Sequence, residues 1–173
     1  MHAALTDPPH LALSNSSLGI PFMDAEHDYL IMLFDELART ITSPAGLEMF
    51  ARGFRQLVDF AREHFAHEEF AMHALGYSGF LKHKRVHDHL LGNADNFACS
   101  IETHYRRFEC FGLTIYVWRW LEDHVRRHDE GFAEFIRASD ISCERTVLKF
   151  PILPPCSVGL AGFCRLPATA AAS

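Results

Sequence analysis

Apolar residues recur at alternating intervals of three and four along four stretches of the chain. This spacing places them on one face of an α-helix, and it restricts the fold more than any other feature of the sequence. The four sets are Leu30, Phe34, Leu37 and Ile41; Leu47, Phe50, Phe54, Leu57 and Ala61; Leu90, Ala94, Phe97 and Ile101; and Leu113, Val117 and Trp120. Helices of this kind bury their apolar faces against one another. The sequence therefore predicts an all-α, up-down-up-down four-helix bundle.

Each of the four apolar faces continues, at the same intervals, into side chains that can bind metal. The residues at these continuing positions are His27 on the first face, His64 and Glu68 on the second, His83 and His87 on the third, and His124 on the fourth. Burying imidazole and carboxylate groups is costly unless each finds a partner or a metal ion. A metal centre in the core of the bundle accounts for all of these residues at once.

The donor types and their spacing favour a di-metal site. His64 and Glu68, like His83 and His87, are four residues apart and so lie one above the other on a helix. Carboxylate and imidazole ligands that converge inside a bundle are typical of di-iron sites, and this set has more donors than one tetrahedral zinc ion needs.

Two other metal motifs can be tested by counting. A zinc-protease HExxH motif starting at His67 would need histidine at position 71, which is Ala71. A ferritin-like site needs histidine three residues after glutamate, and no glutamate in the sequence has one. Both motifs are therefore excluded.

The sequence divides into three parts. Residues 1–20 contain Pro8 and Pro9 and are predicted to form an N-terminal arm; residues 21–138 carry the bundle; residues 139–173 form an irregular C-terminal tail. Ser43 is a candidate helix cap and Gly76 a candidate helix stop. The boundary between the third and fourth helices is predicted within residues 105–112.

Composition excludes several classes of protein. A net charge of -6 gives no electrostatic footprint for nucleic acid. The five cysteines form no CxxC pair, which favours reduced thiols in the cytoplasm over a disulfide framework. We expect no export signal and no membrane span, since no apolar stretch is long enough.

Four segments resemble the ligand segments of the hemerythrin family, in particular its bacterial single-domain forms. They are LGIPFMDAEHDYL, HFAHEEFAM, HKRVH and WLEDHVRRHD, and the resemblance spans about residues 18–136. It implies two iron ions with an oxo or hydroxo bridge and dioxygen as ligand. It also implies that the first iron is bound by His83, His87 and His124, the second, with an open position, by His27 and His64, and that Glu68 and Asp129 bridge the two.

The function that this resemblance implies is reversible dioxygen binding, for carriage, storage, delivery or sensing. No catalytic residue is expected beyond the metal ligands. The alternative is a di-iron peroxidase, a nitric-oxide-handling protein or an iron donor that uses the same site. The apolar tail segment SVGLAGFCRL is a candidate for docking to a protein partner or into a protein shell, as in some proteins of this kind.

Asp129 departs from the helical count, because it follows His124 by five residues rather than four. On a regular α-helix His128 would lie below His124 instead. A one-residue π-bulge after His124 would restore Asp129 to that face, and such bulges are frequent at functional sites.

The remaining site predictions concern the surroundings of the metal ligands. Phe65 and Trp120 are expected to form an apolar wall. Asp24 either accepts a hydrogen bond from the His27 ring or stabilises the start of the first helix. Surface or supporting positions are expected for His67, His73, His89, His104 and His128.

Overall fold

The protein is an all-α bundle of four helices in the part of the chain that its computed structural model describes, namely residues 17–40, 46–103 and 107–139. Its helices are α1 (Pro21–Thr40), α2 (Gly46–Ala74), α3 (Phe80–Thr103), α4 (Arg107–His124) and α5 (Glu130–Ala138). Between α4 and α5 lies a π-helical segment, Val125–Asp129, so the three form one continuous fourth helix. No strand occurs within these residues, which confirms the predicted fold class.

Helix α2 is the centre of the packing. It lies against α1 on one side and α3 on the other, and α4 packs on α1 and α2. Large apolar side chains fill the interior, and Phe50, Phe54 and Phe132 are each at most 1% exposed. Burial of such a side chain contributes about 1.5–3 kcal/mol to stability.

The predicted glycine stop after α2 is confirmed. Gly76 has φ 71°, a left-handed conformation that glycine adopts without strain. The amide of Tyr77 donates to the carbonyl of Met72 at 2.9 Å, and the amide of Gly76 donates to that of His73 at 3.2 Å. These two bonds form a Schellman motif, which ends α2 and turns the chain into α3.

Residues 17–20 precede α1 and close one end of the bundle. Leu18 and Ile20 are buried in the core, so the last part of the expected arm packs with the helices. The Arg137 guanidinium, at the end of α5, donates to the Leu18 carbonyl at 3.1 Å. The end of the bundle that holds the α2–α3 turn is also bounded by α5, because Tyr77 packs on Phe132 and Phe135.

Four described positions of the predicted apolar faces are not fully buried: Leu47 is exposed, and Ala61, Phe97 and Trp120 are partly buried. Leu47 is 40% exposed, because it is the second residue of α2 and lies at the edge of the bundle. Trp120 is only partly buried, whereas its neighbours Trp118 and Leu121 are buried. Trp118 takes the inner position because its ring packs edge-on against Phe34, at a centroid distance of 5.3 Å.

Several predictions fall on residues outside the described ranges: residues 1–16 of the N-terminal arm, Ile41, the Ser43 cap, His104, and the tail beyond residue 139. Helix α4 begins at Arg107, inside the interval predicted for the α3–α4 boundary. Within the described helices, none combines the length and the hydropathy that crossing a membrane requires.

Candidate metal centre

Seven polar side chains meet in the interior of the bundle, and none is more than 4% exposed. They come from all four helices and are His27, His64, Glu68, His83, His87, His124 and Asp129. Donor atoms of these residues form two overlapping groups, in each of which the atoms lie within 4.8 Å of one another. The structure therefore brings together every position that the sequence predicted for metal.

The first group holds three imidazoles, His83, His87 and His124, which we call the three-histidine group. The Nε2 atom of His87 lies 3.0 Å from the Nε2 atom of His83 and 3.0 Å from that of His124. Metal–nitrogen bonds of about 2.1 Å at right angles place two ligand atoms about 3.0 Å apart. His87 Nε2 is thus spaced from each of the other two nitrogen atoms as neighbouring ligands of one ion are.

The second group holds His27 and His64, which we call the two-histidine group. Their rings meet edge to face, with centroids 4.8 Å apart. The Nε2 atom of His64 lies 3.4 Å from Glu68 Oε1, and the Nε2 atom of His27 lies 3.8 Å from the same oxygen. This group therefore offers one imidazole fewer than the first.

Glu68 and Asp129 stand between the two groups, each with its oxygens divided between them. Glu68 Oε1 faces the two-histidine group, while Oε2 lies 3.3 Å from His87 Nε2 and 3.8 Å from His83 Nε2. Asp129 Oδ1 lies 3.1 Å from the Nε2 atoms of both His83 and His124, and Oδ2 lies 3.5 Å from His27 Nε2. Both carboxylates are therefore placed to join two ions.

The π-helical segment Val125–Asp129 explains how Asp129 reaches this position. The Glu130 amide donates to the Val125 carbonyl, five residues back, where an α-helix would use four. The extra residue returns Asp129 to the face of His124, and Asp129 is fully buried while Arg126 and Arg127 are exposed. The predicted π-bulge after His124 is confirmed.

The hydrogen bonding of the site fits a bound metal. Eight buried donor or acceptor atoms of five residues have no hydrogen-bond partner within the described structure: His27 Nδ1 and Nε2, His64 Nε2, Glu68 Oε1 and Oε2, His124 Nδ1, and Asp129 Oδ1 and Oδ2. Buried polar atoms are normally paired, because leaving one unpaired costs about 1–3 kcal/mol. Cations bound between these atoms would satisfy most of them.

The protonation equilibria also suit metal binding. Burial lowers the pKa of His64 to about 4, and burial together with the facing histidines lowers the pKa of His87. Both rings are then neutral at pH 7 and keep a nitrogen lone pair for an ion. Burial, followed by the charge of Asp129, raises the pKa of Glu68 well above its usual range, because two adjacent carboxylates repel each other unless cations lie between them.

Two further carboxylates, which the sequence reading did not identify, support the ligand rings from behind. Glu26 Oε2 lies 2.9 Å from His64 Nδ1, and Glu69 Oε1 lies 3.1 Å from His87 Nδ1. Such contacts fix which ring nitrogen carries the proton and leave Nε2 for the metal. Their only sequence signal is that each glutamate directly neighbours a ligand, which a solvent-exposed helix face shows equally well.

Asp24 has the second of its two predicted roles, at the start of α1. Its carboxylate accepts hydrogen bonds from the Leu18 amide at 2.7 Å, the Gly19 amide at 3.1 Å and the Ser17 hydroxyl at 2.8 Å. These three donors lie just before the helix, so Asp24 anchors the entering segment and does not orient His27.

The other histidines divide between the surface and the surroundings of the site. His73 and His89 are exposed. His67 Nδ1 lies 2.7 Å from Glu26 Oε1, and the His128 ring, half-buried, lies 5.3 Å from that of His124. Neither His67 nor His128 belongs to the two donor groups.

An apolar cavity of about 30 Å³ lies beside the site. Its lining includes Leu30, Phe34, Ala61, Phe65, Ala94 and Trp120. Phe65 borders both the cavity and the metal site, because its ring also stacks on His87 with centroids 3.9 Å apart. Phe65 and Trp120 thus form part of an apolar wall, as expected.

Comparisons with known proteins agree with this geometry. Residues 18–136 match the family model described as the hemerythrin HHE cation binding domain. The chain is 27% identical over 124 residues to a bacteriohemerythrin of Stenotrophomonas maltophilia, covering 70% of this chain and 78% of the relative. It is also 27% identical over 125 residues to a bacteriohemerythrin of Pseudomonas aeruginosa, covering 70% and 77%.

No significant match was found among solved structures. The family match nonetheless spans most of the bundle and includes all seven converging side chains. The chain therefore belongs to the hemerythrin family of cation-binding domains.

Proposed function

We propose that the protein binds dioxygen reversibly at a non-haem di-iron centre. The observation that carries the proposal is the division of donors, three imidazoles on one side and two on the other, with both carboxylates between them. The proposed ligands are His83, His87 and His124 for one iron, His27 and His64 for the other, and Glu68 and Asp129 as bridges. Two ferrous ions would supply the electrons that reversible dioxygen binding requires.

The two donor groups differ in their number of imidazoles, which supports a binding protein whose metal centre has one open coordination position. A metal ion that holds only two imidazoles and a share of two carboxylates keeps room for an external ligand, as catalytic and ligand-binding metal sites do. The three-histidine group leaves less room. We therefore assign the external ligand to the side of His27 and His64.

The apolar surroundings support a small, uncharged ligand. The cavity beside Phe65 has room for a molecule not much larger than water, and all the side chains that line it are apolar. An apolar diatomic gas enters such a space at little desolvation cost, whereas a charged or strongly polar substrate would lose its hydration. The name shared by the relatives, bacteriohemerythrin, agrees with this reading.

The test is an absorption spectrum of iron-loaded, anaerobically reduced protein before and after air is admitted, with iron measured on the same sample. We expect two irons per chain and a visible band that appears in air and disappears under vacuum. His27→Ala, which removes one ligand of the two-histidine group, should abolish the band. The exposed His89→Ala variant is the matched control and should keep it.

A single iron per chain, or a band that bleaches irreversibly with product formed, would contradict the proposal. That result would favour the alternative of a di-iron peroxidase, a nitric-oxide-handling protein or an iron donor at the same site.

A further inference from the structure

Glu26 joins two histidines of α2 through one buried carboxylate. It is 7% exposed, and its Oε2 and Oε1 atoms lie 2.9 Å from His64 Nδ1 and 2.7 Å from His67 Nδ1. Both distances lie in the range of hydrogen bonds from a ring N–H to a carboxylate oxygen. An ionised carboxylate can only accept hydrogen bonds. Both Nδ1 atoms therefore donate, and the Nε2 atom of His64 keeps its lone pair.

Glu69 forms the corresponding contact behind the three-histidine group, but its charge is shared. One of its oxygens lies 3.1 Å from His87 Nδ1, and the other lies 3.1 Å from the ammonium of Lys84. Glu69 is also more accessible, with a side chain 19% exposed against 8% for Glu26. A neighbouring cation and water both weaken the effect of a carboxylate on the ring it contacts.

The carboxylates behind the two histidine groups therefore support their ligand rings unequally. Within the described residues, the ion-pair contacts of Glu26 are imidazoles alone, with no ammonium or guanidinium among them. A carboxylate that is not neutralised raises the basicity of the imidazole it contacts, and so strengthens the bond from the other ring nitrogen to a metal. The group with fewer imidazoles is thus backed by the stronger acceptor.

We propose that Glu26 is the positioning residue of the two-histidine group: it fixes the Nδ1–H form of His64 and strengthens His64 Nε2 as a ligand, with His67 holding the second carboxylate oxygen in place. The proposal rests on the proposed function only in treating the two donor groups as two metal sites. It involves no dioxygen chemistry.

The role of His67 follows from geometry. A glutamate side chain has several rotatable bonds, so one hydrogen bond to His64 alone would leave the carboxylate free to rotate away. The bond from His67, three residues along the same helix as His64, fixes the second oxygen. Because the His67 side chain is 27% exposed, it can be replaced without opening the core.

The experiment is a titration of cobalt(II) into metal-free full-length protein, followed by calorimetry and by the cobalt absorption bands. Glu26→Gln is compared with Glu69→Gln as the matched control. We expect Glu26→Gln to weaken one of two binding events about 10- to 100-fold, and Glu69→Gln to leave that event within about threefold of the unaltered chain.

A second variant shows which of the two metal sites the weakened binding event belongs to. His27→Ala removes a ligand of the two-histidine group and should leave a single event, on which Glu26→Gln then has no effect. In the cobalt-loaded protein, the exchangeable, paramagnetically shifted proton signal of His64 Nδ1–H should move or vanish with Glu26→Gln. A merely structural role would not alter that signal while the other histidine signals stay in place.

His67→Ala keeps the proposal testable if Glu26→Gln does not fold. It should weaken the same event by a smaller factor, with exposed His73→Ala as its control. The proposal is overturned if Glu26→Gln changes neither event, or if its effect persists in the His27→Ala background. Two cobalt ions bound without reversible oxygenation of the iron form would overturn the proposed function alone, whereas fewer than two would overturn both.

Discussion

The Phe65 ring lies parallel to the His87 imidazole, tilted by 7° with centroids 3.9 Å apart. Phe65 belongs to α2 and His87 to α3, so this stacking joins the two helices directly beside the three-histidine group. The same ring borders the apolar cavity. Phe65 therefore both fixes a ligand ring and separates the polar site from the apolar interior.

Phe65→Ala should destabilise the protein by about 3–5 kcal/mol, because it removes a buried aromatic ring and merges the cavity with the metal site. Water would then reach the site, so an oxygenated iron form should decay faster than in the unaltered protein. Urea unfolding and the lifetime of the visible band measure the two effects.

Phe70→Ala is the matched control for this prediction, since Phe70 lies on the same helix and is 57% exposed. It should change stability by less than about 1 kcal/mol. Equal effects of the two substitutions would show that Phe65 does not separate the two spaces.

The sequence was informative wherever a residue continued a helical face. His27, His64, Glu68, His83 and His87 continue apolar faces by intervals of three or four, so counting alone placed them in the core. Asp129 was predicted only from the resemblance to the hemerythrin family. Because it breaks that interval, its role as a ligand required the π-helical segment that the structure shows. Glu26 could not be found in this way, because its burial depends on α2 lying across α1, with His64 and His67 facing it. That is a contact between helices, which periodicity within one helix does not encode.

Removing Arg126 should convert the π-helical segment into regular α-helix without displacing Asp129. Asp129 would then follow His124 by four residues, and Phe132 and Ile136 would keep their positions in the core. Arg126 is exposed, so its loss removes no core contact. We expect the shortened protein to fold and to bind two metal ions, as judged by thermal unfolding and metal titration.

The matched control removes Glu134, an exposed residue of the α-helical part of the same element. This deletion turns Ile136, which is 4% exposed, away from the core by about 100° and should cost about 2–4 kcal/mol. If removing Arg126 is as destabilising as removing Glu134, the extra residue does not act as proposed.

The metal-free protein should lose stability as the pH falls from 6.5 towards 4. The pKa of His64 is about 4 in the folded protein against an ordinary value of 6.5, and that of His87 is also lowered. Between these values the unfolded chain binds a proton at each ring that the folded chain does not, so acid favours unfolding. Burial raises the pKa of Glu68. This shift changes stability in the opposite direction as the pH falls, because the folded chain keeps a proton that the unfolded chain releases.

Below pH 6.5 the two histidine protons increasingly outweigh the one at Glu68, so stability is higher at pH 6.5 than at pH 5, and the slope approaches about 1.4 kcal/mol per pH unit near pH 5. Urea unfolding of the metal-free protein at several pH values measures it. His64→Gln should reduce the slope, whereas His89→Gln at an exposed position should not. A flat or inverted dependence would mean that these rings are not held neutral in the folded protein.

Asp129→Ala should uncouple the two metal sites. Its oxygens face the three-histidine group at 3.1 Å and His27 at 3.5 Å, so its removal takes one ligand from each side. The three-histidine group keeps three imidazoles and should still bind one ion, whereas the two-histidine group should lose affinity by at least about 100-fold.

Metal bound only to the folded state stabilises it by about 4 kcal/mol at a free concentration 1,000 times the dissociation constant. At a fixed zinc concentration the variant should therefore show less than the full thermal stabilisation of the unaltered chain, while Asp123→Ala, at an exposed site of α4, should retain it. Two ions bound with unaltered affinity by Asp129→Ala would show that Glu68 alone joins the two sites.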